Sequence, residues 1–237
     1  MNTNKNKIIF ELDSGNIIDN IDTKFTINGE NNIIKIKLQN EKLISDYIDW
    51  VKIDITGFNN LIELDNLHFM KNNRMLDIKA PCLKIFIGGP ANPLVDPNEI
   101  RYANNCTVKI GKDSTIAGAR LVLQEHDSKI VIGEKCMLSF GIDIWCSDLH
   151  TITDLEGKPL NFGKSIEIGN HVWIGMDVKI NKNTKISDDS IVGWGSIVTK
   201  KFDDKNVIIA GNPAKIVKQN IKWNGRDLNN YSKYYQK

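Results

Sequence analysis

Isoleucine or valine recurs at every sixth residue between positions 168 and 198. The residues at this spacing are Ile168, Ile174, Ile180, Ile186, Val192 and Val198. An α-helix with about 3.6 residues per turn would rotate each of them away from the last, and a half-buried strand would show a period of two. A sustained period of six indicates a chain that turns a corner every six residues and points each repeat side chain into one interior. This pattern predicts a parallel β-helix.

The same register occurs earlier in the chain, with one slip and one long interruption. Its earlier members are Ile110, Ile116 and Val122, followed after a slip at Ser128 by Ile132, Leu138 and Ile144. It then disappears between Trp145 and Ser165, where positions 150, 156 and 162 hold His, Glu and Phe. Polar and aromatic residues at core positions predict that residues 145–167 leave the solenoid as a loop, and long loops on a rigid scaffold are common places for function.

Residues 1–100 show short alternating apolar runs separated by Asn and Gly, which predict strands joined by tight turns, with one short helix over 41–50. The breaker cluster from Gly88 to Pro97 is the predicted boundary. We therefore expect residues 1–100 to form an irregular β region that caps the β-helix, binds an acceptor or mediates assembly. A β-helix domain over 101–222 and a C-terminal tail over 223–237 follow it.

Composition excludes some partners. The 237 residues carry 31 basic and 29 acidic side chains, a formal net charge of +2 that gives no reason to expect nucleic acid or an anionic membrane. No signal peptide or membrane span is evident, so a cytoplasmic protein is expected. The four cysteines form no C-x-x-C pair, and we expect free buried thiols.

Three segments carry a family resemblance: Ile168–Gly175 (IGNHVWIG), Val192–Lys200 (VGWGSIVTK) and Ala210–Lys215 (AGNPAK). In this order they resemble the hexapeptide-repeat acyltransferases, and more closely the galactoside, maltose and capsule-sugar O-acetyltransferases. The resemblance covers about residues 105–222. It implies an all-β, left-handed parallel β-helix and a homotrimer. It also implies that acetyl-coenzyme A lies in the groove between two subunits and that a histidine acts as general base.

His150 is the candidate base among four histidines. It lies where the register breaks, and it matches the family position of the catalytic histidine, about one coil before the V-W-I-G segment. Imidazole, with a pKa of about 6.5, accepts a proton near neutral pH. The alternative for His150 is a loop histidine that makes structural hydrogen bonds. His68 lies outside the repeat, His126 is interpreted as part of a solvated turn, and His171 is expected to point outward between corners.

Three further residues are candidates for the reaction centre. If residues 148–150 are extended, Asp148 and His150 share a face, and the carboxylate orients the imidazole as in a triad; the alternative is a turn-capping aspartate. Trp173 resembles the family tryptophan beside the acetyl group and pantetheine arm, or else packs at a corner against the next subunit. Trp145 either walls the acceptor site, where sugar rings stack on indole faces, or serves in packing.

The family pattern of cofactor contacts maps onto Met176, Trp194, Thr199, Lys200 and Lys218. Lys200, Lys201, Lys215 and Lys218 form a basic concentration suited to the phosphates of coenzyme A, although a solvated surface run is the alternative. Two departures occur: Met176 stands where the family has Ser or Ala, and Trp194 stands where it has Ala. Three alternatives stay open: backbone contacts to the cofactor survive both changes, the Trp194 indole stacks on the adenine, or it narrows the groove.

The sequence therefore predicts an acetyl-coenzyme A-dependent O-acetyltransferase acting on a carbohydrate, such as a capsule or surface polysaccharide unit, without a metal. N-acetylation of an amino sugar or nucleotide sugar needs the same base and stays open. A zinc hydratase on this fold would need three histidines, and only His126 and His150 lie near the loop. A non-catalytic β-solenoid module is the remaining alternative.

Overall fold

The computed structural model describes residues 5–19, 21–70, 81–90 and 100–225. Its strands wind into three sheets, which we call A, B and C, and these form the sides of a prism. Each sheet is parallel, apart from one antiparallel strand at an end of sheet A and one at an end of sheet C. The chain passes from sheet A to sheet C to sheet B in each complete coil. The architecture is the predicted left-handed parallel β-helix.

Strands are numbered in chain order. Sheet A contains β1 (Lys7–Leu12), β2 (Ile17–Asp19), β4 (Ile33–Leu38), β6 (Leu61–Asp65), β11 (Thr107–Ile110), β14 (Lys129–Ile132), β17 (Ser165–Ile168), β20 (Thr184–Ile186) and β23 (Lys201–Phe202). Sheet B contains β3 (Thr26–Asn28), β5 (Val51–Thr56), β8 (Leu83–Ile87), β13 (Ala119–Leu123), β16 (Ile142–Trp145), β19 (Lys179–Asn181) and β22 (Ile197–Val198). Sheet C contains β7 (His68–Phe69), β12 (Thr115–Ile116), β15 (Met137–Leu138), β18 (Trp173–Ile174), β21 (Ile191–Val192), β24 (Ile208–Gly211) and β25 (Ala214–Lys218). The remaining elements are a small antiparallel pair, β9 (Gly89–Pro90) and β10 (Ile100–Arg101), a 3₁₀ turn over Glu41–Leu43 and the helix α1 (Ile44–Trp50).

The six-residue period corresponds to the three sides of the prism. Ile168 lies on sheet A, Ile174 on sheet C and Ile180 on sheet B, and the next member, Ile186, pairs with Ile168 one coil below. All four side chains are buried in one continuous core. Because the interior is apolar on all three sides, each repeat residue contributes to one stack that runs along the axis, as the sequence predicts.

The predicted register is wrong at Val122. Leu121 aligns with the core residues Ile85 and Ile144, whereas Val122 pairs with Phe86 and Trp145 and lies on the outer face of sheet B. The corner between β12 and β13 has two residues, 117–118, while the next coil has three, 139–141, at the same place. One missing corner residue shifts the strand by one position, and in a strand a one-residue shift exchanges the two faces.

The three sheets continue without interruption into the N-terminal part of the chain. Strand β6 pairs with β11, and β8 pairs with β13, so strands on both sides of residue 100 share sheets. Helix α1, at the predicted place, connects β4 of sheet A to β5 of sheet B, and Tyr47 of this helix contacts Phe69 of sheet C edge-on at 5.1 Å. The division at residue 100 remains a prediction about how the chain is organised. Pro93, Pro97 and most of the predicted tail lie outside the described residues.

A ladder of buried asparagines joins these coils at one corner. The Asn60 backbone N–H donates to Asn32 Oδ1 at 3.1 Å, and Asn60 Oδ1 accepts from the Cys106 N–H at 2.8 Å. Each amide side chain therefore satisfies a backbone group of the coil above it, which apolar side chains at this position would leave unpaired. This explains how coils without the hexapeptide register still stack on those that have it.

The loop predicted for residues 145–167 is present between β16 and β17. It projects from the corner between sheets B and A, and an isolated antiparallel β-bridge between Thr153 and Pro159 joins the two sides of its tip. Within the described residues, no helix combines the length and the apolar character needed to cross a membrane.

Candidate active site

A cleft of about 500 Å³ lies between the projecting loop and the coils beneath it. His150, Leu149 and Asn161 of the loop line one side, while Glu125 and His126 line the other. The cleft thus brings together two histidines that are 24 positions apart. His150 was the predicted site residue, and His126 was expected to be only part of a solvated turn.

Hydrogen bonds from β10 and from the returning side of the loop hold the loop backbone around His150. Arg101 Nη1 donates to the Leu149 carbonyl at 2.9 Å, and Asn161 Nδ2 donates to the His150 carbonyl at 2.8 Å. The loop returns to the prism at Gly163, whose N–H donates to Glu125 Oε2 at 2.6 Å. A Cβ on Gly163 would lie 2.4 Å from the Cys146 carbonyl oxygen, so only glycine fits this close return. The backbone of His150 is therefore fixed, and the residue lines the cleft.

Asp148 does not adopt the predicted extended geometry. Leu149, which lies between it and His150, has a φ of 65°, in the left-handed region, so the segment bends. The Asp148 carboxylate instead accepts from Lys182 Nζ at 2.5 Å and from Asn161 Nδ2 at 2.8 Å. Partial burial raises the pKa of Asp148, but these donors outweigh it and the pKa is lowered overall. Within the described residues, no hydrogen bond joins this carboxylate to the His150 ring.

His126 has a fixed orientation in the cleft. Its Nδ1 accepts the backbone N–H of Asn104 at 3.0 Å. In the neutral ring the proton therefore sits on Nε2, which makes this nitrogen a donor. Sequence reasoning missed this role because the signal is a contact with a residue 22 positions earlier, on the preceding coil.

Trp173 lies on the outer face of sheet C, beside the C-terminal segment. Its ring is 6.0 Å from that of Trp223, which stacks on the His171 imidazole with centroids 4.1 Å apart. Trp223 Nε1 donates to the His171 carbonyl at 2.9 Å, and His171 Nδ1 lies 2.9 Å from Asp189 Oδ1. The Trp173 Nε1 atom is buried and has no hydrogen-bond partner among the described residues.

The predicted cofactor residues fall at two corners of the prism and on the last strand. Met176 and Trp194 occupy stacked turns between sheets C and B, where the Gly195 N–H donates to the Met176 carbonyl. The Trp194 indole is 69% exposed, and its Nε1 donates to Asp177 Oδ2 at 3.1 Å. Thr199 and Lys200 lie at the corner between sheets B and A, and Lys218 ends β25. One prism therefore presents these residues on different sides.

Trp145 points outward from sheet B immediately before the loop. The Arg120 guanidinium lies 5.4 Å from the centre of its ring. Trp145 lines a groove that shares Gln124 with the His150 cleft. Its position therefore suits the predicted wall of an acceptor site.

No described group of three or more His, Cys, Asp and Glu side chains is arranged to hold a metal ion. The four cysteines are free and buried, as expected. Burial raises the pKa of Cys136 and of Cys146 to about 11, so neither thiol ionises near neutral pH.

The structure is similar to two solved acetyltransferases over nearly the whole chain. The polySia-specific acetyltransferase NeuO has a TM-score of 0.67 and 27% identity, with 95% of this chain and 87% of that chain covered. The polysialic acid O-acetyltransferase OatWY has a TM-score of 0.54 and 26% identity, with 97% of this chain and 95% of that chain covered. No protein-family model and no curated protein sequence matches the chain. The predicted resemblance to hexapeptide-repeat acetyltransferases is confirmed, and the chain is an enzyme of this acetyltransferase type.

Proposed function

We propose that the protein transfers the acetyl group of acetyl-coenzyme A to a hydroxyl of a carbohydrate, in a direct-transfer ternary complex with His150 as general base. The observation that carries this proposal is the position of His150, the candidate base, in a cleft whose loop backbone is fixed by Arg101 and Asn161. The likeness to two polysialic acid acetyltransferases supports the same chemistry.

His150 would act on one proton. Acetyl-coenzyme A supplies a thioester, whose C–S bond breaks as the acceptor oxygen forms the new ester C–O bond. The imidazole takes the hydroxyl proton during attack and returns it to the departing sulfur, so the ring ends neutral. General base assistance of this kind accounts for a factor of about 10²–10⁴ in rate. In this proposal the Nε2–H of His126, which lines the same cleft, donates a hydrogen bond to an acceptor oxygen.

The residues that would hold the donor fit its chemistry. The unpartnered indole N–H of Trp173 suits an amide carbonyl of the pantetheine arm. Trp194 offers an exposed aromatic face at the next corner, and Lys200 and Lys218 are exposed ammonium groups suited to phosphates. The bulk of Trp194 does not block its corner, because the indole points into solvent.

We propose further that the site is completed between copies in a homotrimer. His150 lies on the loop between sheets B and A, whereas Trp173 lies on the outer face of sheet C. A second prism whose sheet C faces the loop would bring the two residues together. The loop also exposes four apolar side chains suited to such a contact: Ile152, Leu155, Leu160 and Phe162.

The acceptor in this proposal is a capsule or surface polysaccharide. The two similar enzymes support it, because both are acetyltransferases of polysialic acid. A cytoplasmic location completes the proposal and agrees with four unpaired thiols, which persist in reducing compartments.

The test is acetyl transfer from labelled acetyl-coenzyme A to a panel of sugars and polysaccharides. His150→Ala should keep the trimer and coenzyme A binding while losing about 10²-fold or more of the transfer rate. His68→Ala, an exposed histidine of β7, is the matched control and should transfer at the normal rate. Hydroxylamine should release the label, because it cleaves esters and spares amides. Normal turnover by His150→Ala would exclude the proposed base, and a hydroxylamine-resistant product would indicate N-acetylation.

A further inference from the structure

One short segment of the chain, from Arg101 to Asn104, contacts both histidine-bearing walls of the cleft. Arg101 Nη1 donates to the Leu149 carbonyl at 2.9 Å, directly before His150 in the chain. The Asn104 backbone N–H donates to His126 Nδ1 at 3.0 Å. The two histidines lie on different coils, and this segment, which we call the 101–104 segment, connects to the surroundings of both.

Close packing fixes the backbone of Arg101 on the prism. Arg101 pairs with Gly89 in the small antiparallel sheet. A Cβ on Gly88 would lie 2.1 Å from the Thr56 carbonyl oxygen and 2.6 Å from that of Arg101, so only glycine lets these three backbone segments meet. The Ala103 N–H donates to the same Thr56 carbonyl at 3.1 Å. The Arg101 side chain therefore extends from a fixed base.

Leu149 has a backbone conformation that disfavours leucine. Its φ of 65° lies in the left-handed region, where the Cβ of an L-residue crowds the following carbonyl oxygen. Apart from Lys135 and His171, every other non-glycine residue that the structure describes with a positive φ is Asn or Asp. These two residue types tolerate the conformation better than leucine does. An apolar residue at such a position indicates that the surrounding contacts impose the conformation.

Leu149 is supported differently from the two other exceptions. Lys135 and His171 lie at corners of the prism, and their N–H groups donate to carbonyls of the preceding coil at 2.8 and 2.7 Å. The Leu149 N–H instead donates to Ser147 Oγ at 2.9 Å, within the projecting loop. The bond from the prism reaches Leu149 at its carbonyl and comes from Arg101. Arg101 therefore ties the strained residue itself to the prism.

The two hydrogen bonds of Leu149 fix the peptide groups on both sides of its Cα. Rotation of φ or ψ towards the extended region would turn one of these groups away from Ser147 or Arg101. The cost of the left-handed conformation corresponds to a factor of about 5–30 in its population. Without Arg101 the loop would populate other backbone angles at Leu149, and His150, the next residue, would change direction.

We propose that Arg101 is a positioning residue that holds Leu149 in the left-handed conformation and thereby directs His150 into the cleft. This inference rests on the proposed function, because the directed group is its general base. Arg101 acts through Leu149 and not on the acceptor. Asn104 fixes the His126 ring from the same 101–104 segment, so one element sets the relative placement of the two histidines.

The kinetic test uses labelled acetyl-coenzyme A with polysialic acid as acceptor. Arg101→Met should lower kcat about tenfold and change the KM of the acceptor less than about twofold, because the base is misdirected while contacts to the acceptor remain. Arg101→Lys keeps a donor and should recover part of the loss. Lys109→Met, which removes a cation paired with Glu63 on sheet A, is the matched control and should transfer normally. A raised KM with a normal kcat would assign Arg101 to acceptor binding and overturn the inference.

Substitutions of Leu149 test the conformation itself. Leu149→Ile keeps the side-chain volume but adds a β-branch, which the left-handed region disfavours further, so kcat should fall about fivefold or more. Leu149→Asn favours the left-handed conformation. Added to Leu149→Asn, the change Arg101→Met should cost less than about threefold, in contrast to its cost in the wild type. An equal cost of Arg101→Met in both backgrounds would overturn the inference.

Hydrogen exchange of the loop gives a readout that does not depend on the reaction. Peptides covering residues 147–152 should exchange faster in Arg101→Met than in the wild type, while peptides from β11 should be unchanged and show that the prism is intact. Faster exchange together with normal turnover by His150→Ala would count against the proposed base alone. Unchanged exchange and kcat in Arg101→Met, with His150→Ala inactive, would overturn this inference and leave the proposed function standing.

Discussion

The Nζ atom of Lys182 lies 2.5 Å from Oδ2 of Asp148, across the base of the loop that carries His150. The same ammonium group donates to the Asn161 carbonyl on the returning side of the loop. Asp148 therefore serves to anchor the loop through Lys182 and Asn161. We interpret it as a positioning residue for His150.

The anchor can be tested by replacing either partner. Lys182→Met or Asp148→Asn should let endoproteinase Glu-C cut faster after Glu156 at the exposed loop tip and should lower kcat/KM, because the His150 backbone is less fixed. The double variant should be no worse than either single one, as expected for a coupled pair. Lys185→Met, which breaks the exposed pair with Asp203, is the control and should leave cleavage unchanged. Equal cleavage in all variants would show that the ion pair does not hold the loop.

The anchor should also respond to acid. The pKa of Asp148 is lower in the folded protein than its ordinary value of about 3.9, so the ion pair stabilises the loop above that value and is lost as the pH falls through the lowered pKa. Pepsin cleavage of the wild-type loop, divided at each pH by the rate of pepsin on an unfolded peptide of the same sequence, should therefore be slow at about pH 5 and faster towards about pH 2. Lys182→Met should show little of this dependence. A parallel pH response in both proteins would assign it to another group.

The C-terminal segment is held by Trp223. Trp223→Ala removes the stacking on His171 and the hydrogen bond to its carbonyl, and should lower the free energy of unfolding by about 1–2 kcal/mol. Trp194→Ala makes the same change at a largely exposed indole, and should cost about 0.5 kcal/mol or less. Urea denaturation of the two variants measures the difference. Equal losses would mean that the stack contributes nothing.

The loop tip should matter for assembly if the proposed trimer is correct. Leu155 is fully exposed on one chain, so Leu155→Asp should not destabilise the isolated fold. It should nevertheless shift the trimer towards monomer in light scattering, because a carboxylate would be buried against the next copy. Ile17→Asp, at an exposed position of β2, is the matched control. An unaffected trimer would place the loop away from the interface.

The solenoid can be predicted from the sequence because the repeat side chains at 168–198 all point into one apolar interior, on each of the three sides of the prism. The prediction that Val122 lies in the core is wrong because the preceding corner is shorter by one residue. The sequence does not show this change, since Leu121, Val122 and Leu123 are all apolar. The position of His150 in a loop follows from the broken register. The geometry of Asp148 does not, because it depends on the left-handed turn at Leu149 and on Lys182, a residue 34 positions later.

The antiparallel strands at the two ends of the prism have a consequence for solubility. Strand β2 runs against β1 at the end of sheet A, and β25 runs against β24 at the end of sheet C. Exposed edges of parallel sheets are templates on which further chains can add. At each end of the prism, one sheet finishes on an antiparallel strand. A second copy therefore cannot continue all three sheets as parallel sheets. Stacked coils are thus kept from growing end to end into fibres.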